Sequence, residues 1–217
     1  MTSSDFSVTS KTRIIRAPER ASYDRDNAYD IIDSTPMCHV SYVIEGEPYI
    51  TPTFQWRDGD NIYWHGSSAS RFLRSAVGAN VALNVMLFDG VVLARSAYHS
   101  SANYRSVTIF GQPRILEGDE KNRALQDFVD KLTPGRWDSL RPMSDQEIKA
   151  TTVLTMPIEE VSVKSRTGGP IDDDEDYELP IWAGIIPIAQ TVGQAIPDDR
   201  NLPAVDMPDH VKEFELG

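Results

Sequence analysis

The chain is short of cysteine, of basic charge and of long apolar runs, and each shortage excludes something. Cys38 is the one cysteine in 217 residues. A disulfide framework and a thiolate metal cluster are therefore out of reach, and Cys38, inside an apolar run, reads as a small core residue. Lysine and arginine together number 21 against 33 aspartates and glutamates, a formal net charge of -12. A nucleic acid would be repelled by that field, although one local cluster of donors can still hold a small anion. The most apolar region, residues 81–94, is interrupted by Asn84 and Asp89 and is too short and polar to cross a bilayer. No apolar stretch follows a basic start at Met1, so no secretory leader is expected, and the reading is a soluble, cytoplasmic protein with no membrane or nucleic-acid partner.

What is present is ordinary for a globular chain: 25% charged and 40% apolar residues, enough for one domain with a sizeable core. Residues 1–20 read as an extended polar arm, residues 21–186 as the folded domain, and residues 187–217, rich in proline, as a tail that wraps the surface or stays disordered. The spacing predicts helices over 24–34, 70–78, 120–132 and 144–150, the last with a capping box of Ser144 and Glu147. Strands are expected at 37–44, 48–56 and 61–65, joined by turns at Glu45-Gly46-Glu47 and Arg57-Asp58-Gly59-Asp60. A strand pair about Asp89-Gly90 follows, then a long strand over 107–116 with Gly111 marking a bulge or a close backbone approach, then strand structure over 152–164. Many short strands with a few helices indicate an α+β, mainly β, antiparallel barrel.

Chemistry concentrates where residues 62–71 leave a strand and enter a helix. Gly66, Ser67, Ser68 and Ser70 offer backbone and hydroxyl donors, and Arg71 can grip an oxyanion; the competing reading is that a serine merely caps the helix and Arg71 is a surface charge. His65 closes the strand, either as a packed, hydrogen-bonded residue or as a group facing a ligand, and it is the candidate catalytic residue. The four histidines show no metal spacing, and no HExxH, GxSxG or P-loop is present, so no metal site is expected. Arg95-Ser96 and Tyr104-Arg105-Ser106 pair arginine and serine near tyrosine. Lys164 and Arg166 form a basic strand end that meets the acidic run 172–176, expected to be a solvated loop partly neutralised by them. Trp182 is either a core plug or a lid over a ring.

These blocks, in this order, resemble the pyridoxamine 5'-phosphate oxidase-like FMN-binding split-barrel superfamily, including its nitroimidazole-resistance-like branch. The resemblance spans roughly residues 11–190. It rests on Trp64-His65-Gly66 with Ala69-Ser70-Arg71, Val92-Leu93-Ala94-Arg95-Ser96, Tyr104-Arg105-Ser106-Val107 with Gly111, Pro134-Gly135-Arg136-Trp137 with Arg141-Pro142, and Trp182-Ala183-Gly184. It implies a six-stranded split barrel with peripheral helices, a homodimer with FMN sites at the subunit interface, and a flavin-dependent oxidoreductase acting on a small molecule. It further implies Ser70 and Arg71 on the flavin phosphate, Thr51, Thr53 and Phe54 along the ring, His65 beside it, Arg105 and Ser106 approaching across the dimer, and Trp182 reaching the site. Tyr49 and Phe54 stand where true pyridoxamine phosphate oxidases carry arginine and lysine, and the C-terminal arginine–histidine pair is missing, so vitamin B6 oxidation is not the implied reaction. A flavin, haem or deazaflavin module without turnover, acting as carrier or sensor, is the alternative.

Overall fold

The computed structural model describes residues 5–215. Asp24 caps the first helix by accepting from Asn27 N. In chain order the elements are β1 (Ala21–Ser22), α1 (Arg25–Asp33), β2 (Met37–Ile44), β3 (Glu47–Asp58), β4 (Asn61–Ser67), α2 (Arg71–Ala76), β5 (Val81–Leu93), β6 (Ser101–Gly111), β7 (Arg114–Ile115), α3 (Gly118–Leu132), α4 (Asp145–Ala150), β8 (Thr151–Pro157), β9 (Glu160–Arg166), β10 (Gly184–Pro187) and α5 (Asp209–Lys212). The capping box at α4 is present, with Ser144 and Glu147 each bonding the other's backbone N–H.

The mainly β, antiparallel architecture with few helices is the one expected, but the strand count is higher. Among the described residues the sheet has ten strands, not six: nine follow one hydrogen-bonded path, β1-β9-β6-β5-β2-β3-β4-β8-β7, and β10 adds to β5. The path stays open. Its split falls within β3: residues 47–54 pair with β2 and residues 55–58 with β4. The chain returns between the two halves at Ile158, which is fully buried and separates β8, bonded to β4 and β7, from β9, bonded to β6 and β1. What reads in sequence as one strand region over 152–164 is therefore a corner.

Between the halves lies the main core, with Trp64, Ile62, Leu83, Ile109, Met156 and Val163 fully buried and α1 and α2 closing it through Ile31, Ile32, Phe72 and Leu73. Phe6, in the N-terminal arm, is part of this core. A second cluster of Trp56, Leu116, Ala124, Leu125 and Val153 seats α3 on the opposite side of β4 and β8. Cys38 is buried as expected, and desolvation pushes its thiol up to about 12.

Two strand expectations need correction. Asp89-Gly90 is no hairpin turn: β5 runs through it with a bulge between Phe88 and Gly90. Gly90 is there because β10 passes over it, so that a Cβ would stand 2.8 Å from Ile186 O. The strand predicted over 107–116 instead starts at Ser101 and stops at Gly111, where a Cβ would meet Met156 Sδ at 2.8 Å; Pro113 then separates it from β7. Past β10 the described part of the tail runs over the surface without further strands and returns through α5, bringing Phe214 and Glu215 to a cavity of about 240 Å³ beside Gln55, Trp56 and Phe128.

The acidic run is also more than a solvated loop. Asp172, with its side chain wholly buried, accepts from Arg95 N at 2.9 Å and from the Arg95 guanidinium at 3.0 Å. Tyr177 stacks on that guanidinium with its centroid 4.8 Å away. Neutralisation thus comes from Arg95 and not from Lys164 or Arg166. Asp172→Ala should leave Arg95 desolvated without its carboxylate and cost about 3 kcal/mol. A chain of this size then melts about 6–12 °C lower; a melting curve unchanged to within a degree would show the pair to be energetically idle.

Candidate functional site

Alternation along β3 sends Tyr49, Thr51 and Thr53 to the core side and Ile50, Phe54 and Trp56 to the outer side. The two-residue turn at Glu45-Gly46 sets Tyr49 opposite Tyr42, and their rings stack at 5.7 Å. The Tyr42 hydroxyl and Thr51 Oγ1 lie 3.1 Å apart, and Thr53 Oγ1 donates to the His65 carbonyl at 3.4 Å. Arg71, exposed in the first turn of α2, places its guanidinium 5.0 Å from the Tyr49 ring and donates to the Tyr49 hydroxyl at 3.0 Å. Gly66 lies close to α2, with Leu73 Cδ1 3.1 Å from where its Cβ would be.

Thus Thr51, Thr53, Gly66, Ser67, Ser70 and Arg71 are brought to one mouth of the barrel by β3, β4 and α2. Ser70 caps α2, accepting from Leu73 N at 3.5 Å, and Ser67 Oγ accepts from Ala69 N. The capping reading holds for Ser70. Arg71 remains a cation steadied by an aromatic ring, beside a row of hydroxyls that can donate to or accept from a phosphorylated, hydroxylated ligand. Tyr49 and Tyr42 belong to this row; in sequence Tyr49 reads only as replacing a basic residue and Tyr42 does not stand out, though the hairpin register alone places them opposite each other.

His65 projects the other way. Trp64 enters the main core, so the His65 ring lies on the α3 side, 4.3 Å from the Phe128 ring and 5.9 Å from Trp56. Phe54 is on the same side, 5.9 Å from Phe128. Burial holds the imidazole below its usual value, favouring the neutral ring, and Nδ1 is buried with no hydrogen-bond partner among the described residues.

The remaining candidates lie across β2, on β5, β6, β9 and the segment beyond, and within one chain most are engaged. Arg105 forms a two-pronged pair with Asp89 at 2.8 and 3.0 Å. Ser106 accepts from Asn84, and Ser96 accepts from His99 N. Lys164 donates to the Arg16 carbonyl. Arg166 is buried and donates to Asn103 and to the carbonyls of Gly168 and Gly169, ordering that loop. Tyr104 lies opposite Arg166 in the β6–β9 register. Trp182 is 68% exposed and folds its ring over Gly184, so it is not a core plug.

His65 generates a pH dependence. Its folded-state pKa lies below the ordinary 6.5, so the unfolded chain takes up the proton first as pH falls. Stability should therefore be full above 6.5 and decline as pH drops through that value towards the folded pKa. The difference in denaturation midpoint between pH 7.5 and 5.5 should shrink in His65→Gln; an unchanged difference would place the titration elsewhere.

Comparison with known proteins agrees with this architecture. The model of the pyridoxamine 5'-phosphate oxidase family matches residues 24–165. A search of curated proteins returned no match. Among solved structures, the flavocytochrome Anf3 from Azotobacter vinelandii is 45% identical, covering 96% of this chain and 98% of that one at a TM-score of 0.93. An FAD and haem binding protein from Mycobacterium smegmatis is 34% identical over 89% of this chain and 96% of its own, at 0.86. A candidate 5-nitroimidazole antibiotic resistance protein from Bacteroides thetaiotaomicron, 22% identical over 66% of this chain and 85% of its own at 0.55, shares the fold. With a family match that runs from the cap of α1 to the end of β9, the chain belongs to the pyridoxamine 5'-phosphate oxidase family.

Proposed function

We propose that this protein is a flavin-binding redox protein that also carries haem, working as a homodimer on a small-molecule substrate or electron acceptor. The observation that carries the flavin reading is the mouth of β3 and β4, where Arg71 and the hydroxyls of Tyr49, Thr51 and Thr53 converge on one face. Such a set suits the ribityl and phosphate groups of a flavin nucleotide. FAD is the flavin proposed in place of the FMN that the sequence resemblance implies, because the 34%-identical mycobacterial relative is described as binding FAD and haem. The flavocytochrome name of the 45%-identical relative supports the same pairing of groups.

When bound, a flavin supplies hydride and electron transfer, and the protein's part is to bind, orient and exclude water. Arg71 would hold the phosphate end, its side chain steadied by the Tyr49 ring. Thr51 and Thr53, held by Tyr42 and the His65 carbonyl, would present hydroxyls at fixed positions along the strand. Tyr49 and Phe54, in place of a basic pair, put no cation at those two positions for a substrate phosphate, and Arg57, further along β3, is paired with Asp33. That argues for a substrate other than a B6 vitamer.

The dimer reading rests on the outer face of β2, β3 and β5. Val43, Ile50, Met86 and Phe88 are all exposed there, and Ile50 is 67% so. An apolar sheet face of this kind is ordinarily covered, and a second copy would cover it.

Two measurements test these readings. Arg71→Ala should weaken FAD about tenfold, the lower end for a charged hydrogen bond because Arg71 is exposed, and leave riboflavin unchanged. An equal loss for both ligands would separate Arg71 from the phosphate. Light scattering should give about twice 24.3 kDa, and Met86→Glu should halve it; a wild-type monomer that keeps full FAD affinity on dilution would remove the shared interface.

A further inference from the structure

Resting on the proposed flavin and haem reading, we infer that His65 Nε2 is the haem-iron ligand of this protein, and that the macrocycle seats on the apolar shelf of Met37 and Phe54 at the edge of α3.

The placement follows from register. Met37 stands opposite Phe54 in the β2–β3 ladder, Phe54 and His65 both lie against the Phe128 ring, at 5.9 and 4.3 Å, and His65 in turn faces Val153 of β8. These four residues form one row on the outer side of the sheet. At its β8 end the row is sealed: Val153 is fully buried under α3. At its β2 end it is bare, with Met37 42% and Phe54 41% exposed. His65 stands at the boundary. Phe128 leans over its ring from α3, and beyond it there is open apolar surface of the kind a flat hydrophobic macrocycle covers.

The chemistry of the side chain agrees. A histidine that ligates haem iron must present an uncharged imidazole with a free lone pair, its ring held in orientation by packing. Packing against Phe128 and Trp56 holds the His65 ring, and desolvation favours its neutral form. Nδ1 is buried and has no partner among the described residues, so a proton on that nitrogen leaves the Nε2 lone pair uncommitted. The other candidate ligands fit less well. His99 Nε2 lies 3.3 Å from Asp173. His210 is in α5 with Nε2 buried. His39, on the same outer face, is exposed and has no ring packed against it among the described residues. Cys38 points into the main core, and its thiol is pushed up to about 12, far from the thiolate that iron requires.

The test uses the full-length protein with hemin as the probe and reads two chromophores independently. Wild type, His39→Ala, His65→Ala and His65→Gln are each titrated with hemin, recording the Soret band, and their flavin content is measured after denaturation. The expected result is a common Soret position for wild type and His39→Ala. Haem affinity should be about tenfold or more lower in both His65 variants, since loss of a ligand costs at least what loss of its supporting partner does. Flavin content should be unchanged, and free imidazole should restore the wild-type band in His65→Ala. A wild-type Soret position and affinity in both His65 variants would overturn the ligand assignment and leave the haem reading standing. Haem loss that imidazole cannot restore would also overturn it, as the mark of a packing role. A wild type that takes up flavin but no hemin would overturn the assignment and the haem reading together.

Discussion

Everything in this fold depends on β3 belonging to both halves of the sheet. One strand pairs with β2 along residues 47–54 and with β4 along residues 55–58, so the backbone must turn from one half to the other between Phe54 and Gln55. Gln55 holds that turn. Its side-chain amide donates at 2.7 Å to the carbonyls of Ile32 and Thr35, groups that the end of α1 leaves without helical partners. Helix end and strand junction are therefore joined by a buried polar contact, and α1 closes the core where the halves separate. Once β3 is placed, strand alternation leaves no freedom: hydroxyls line its core side at the barrel mouth, and aromatic groups line the other.

Features held by neighbours in the chain were legible in the sequence. The turns at Glu45-Gly46 and Arg57–Asp60, the capping box at Ser144 and the helix α3 each depend on residues within a few positions, and each is where the pattern puts it. Asp89-Gly90 shows the limit. The dipeptide has turn chemistry, yet its glycine answers a contact with Ile186, nearly a hundred residues on, which no local window contains. The corner at Ile158 was hidden for a similar reason: a continuous run of strand-forming residues does not reveal that its two ends pair with different halves.

The site divided along the same line. The strand-to-helix junction from His65 to Arg71 is contiguous, so its grouping could be read directly, whereas Tyr49 enters only through the hairpin register and Phe128 only through the docking of α3. The arginines were the hardest to read. With 33 acidic residues against 21 basic ones, an arginine in this chain is surrounded by carboxylates seeking a partner. Arg105 found Asp89 and Arg95 found Asp172, while Arg166 turned to an amide and two carbonyls. Donors that look free in a sequence are engaged in the fold, and Arg71 differs because the nearest partner the hairpin offers it is a tyrosine hydroxyl.

That difference gives the two faces of the β3–β4 ladder distinct characters across a single layer of backbone. On the core side, Arg71 and the hydroxyl row favour a charged, hydroxylated ligand; on the α3 side, Phe54, Phe128 and a neutral His65 favour an apolar one. The faces are not independent. Thr53 on one side donates to the carbonyl of His65, whose ring lies on the other, and Gly66 next to it packs directly on α2 beneath Arg71. A shift of Thr53 therefore moves the peptide that aims His65, and a shift of α2 moves the end of β4. Coupling between two bound groups here would need no hinge or lid. Three adjacent residues of β3 and β4 supply it, because a paired strand cannot displace one face without displacing the other.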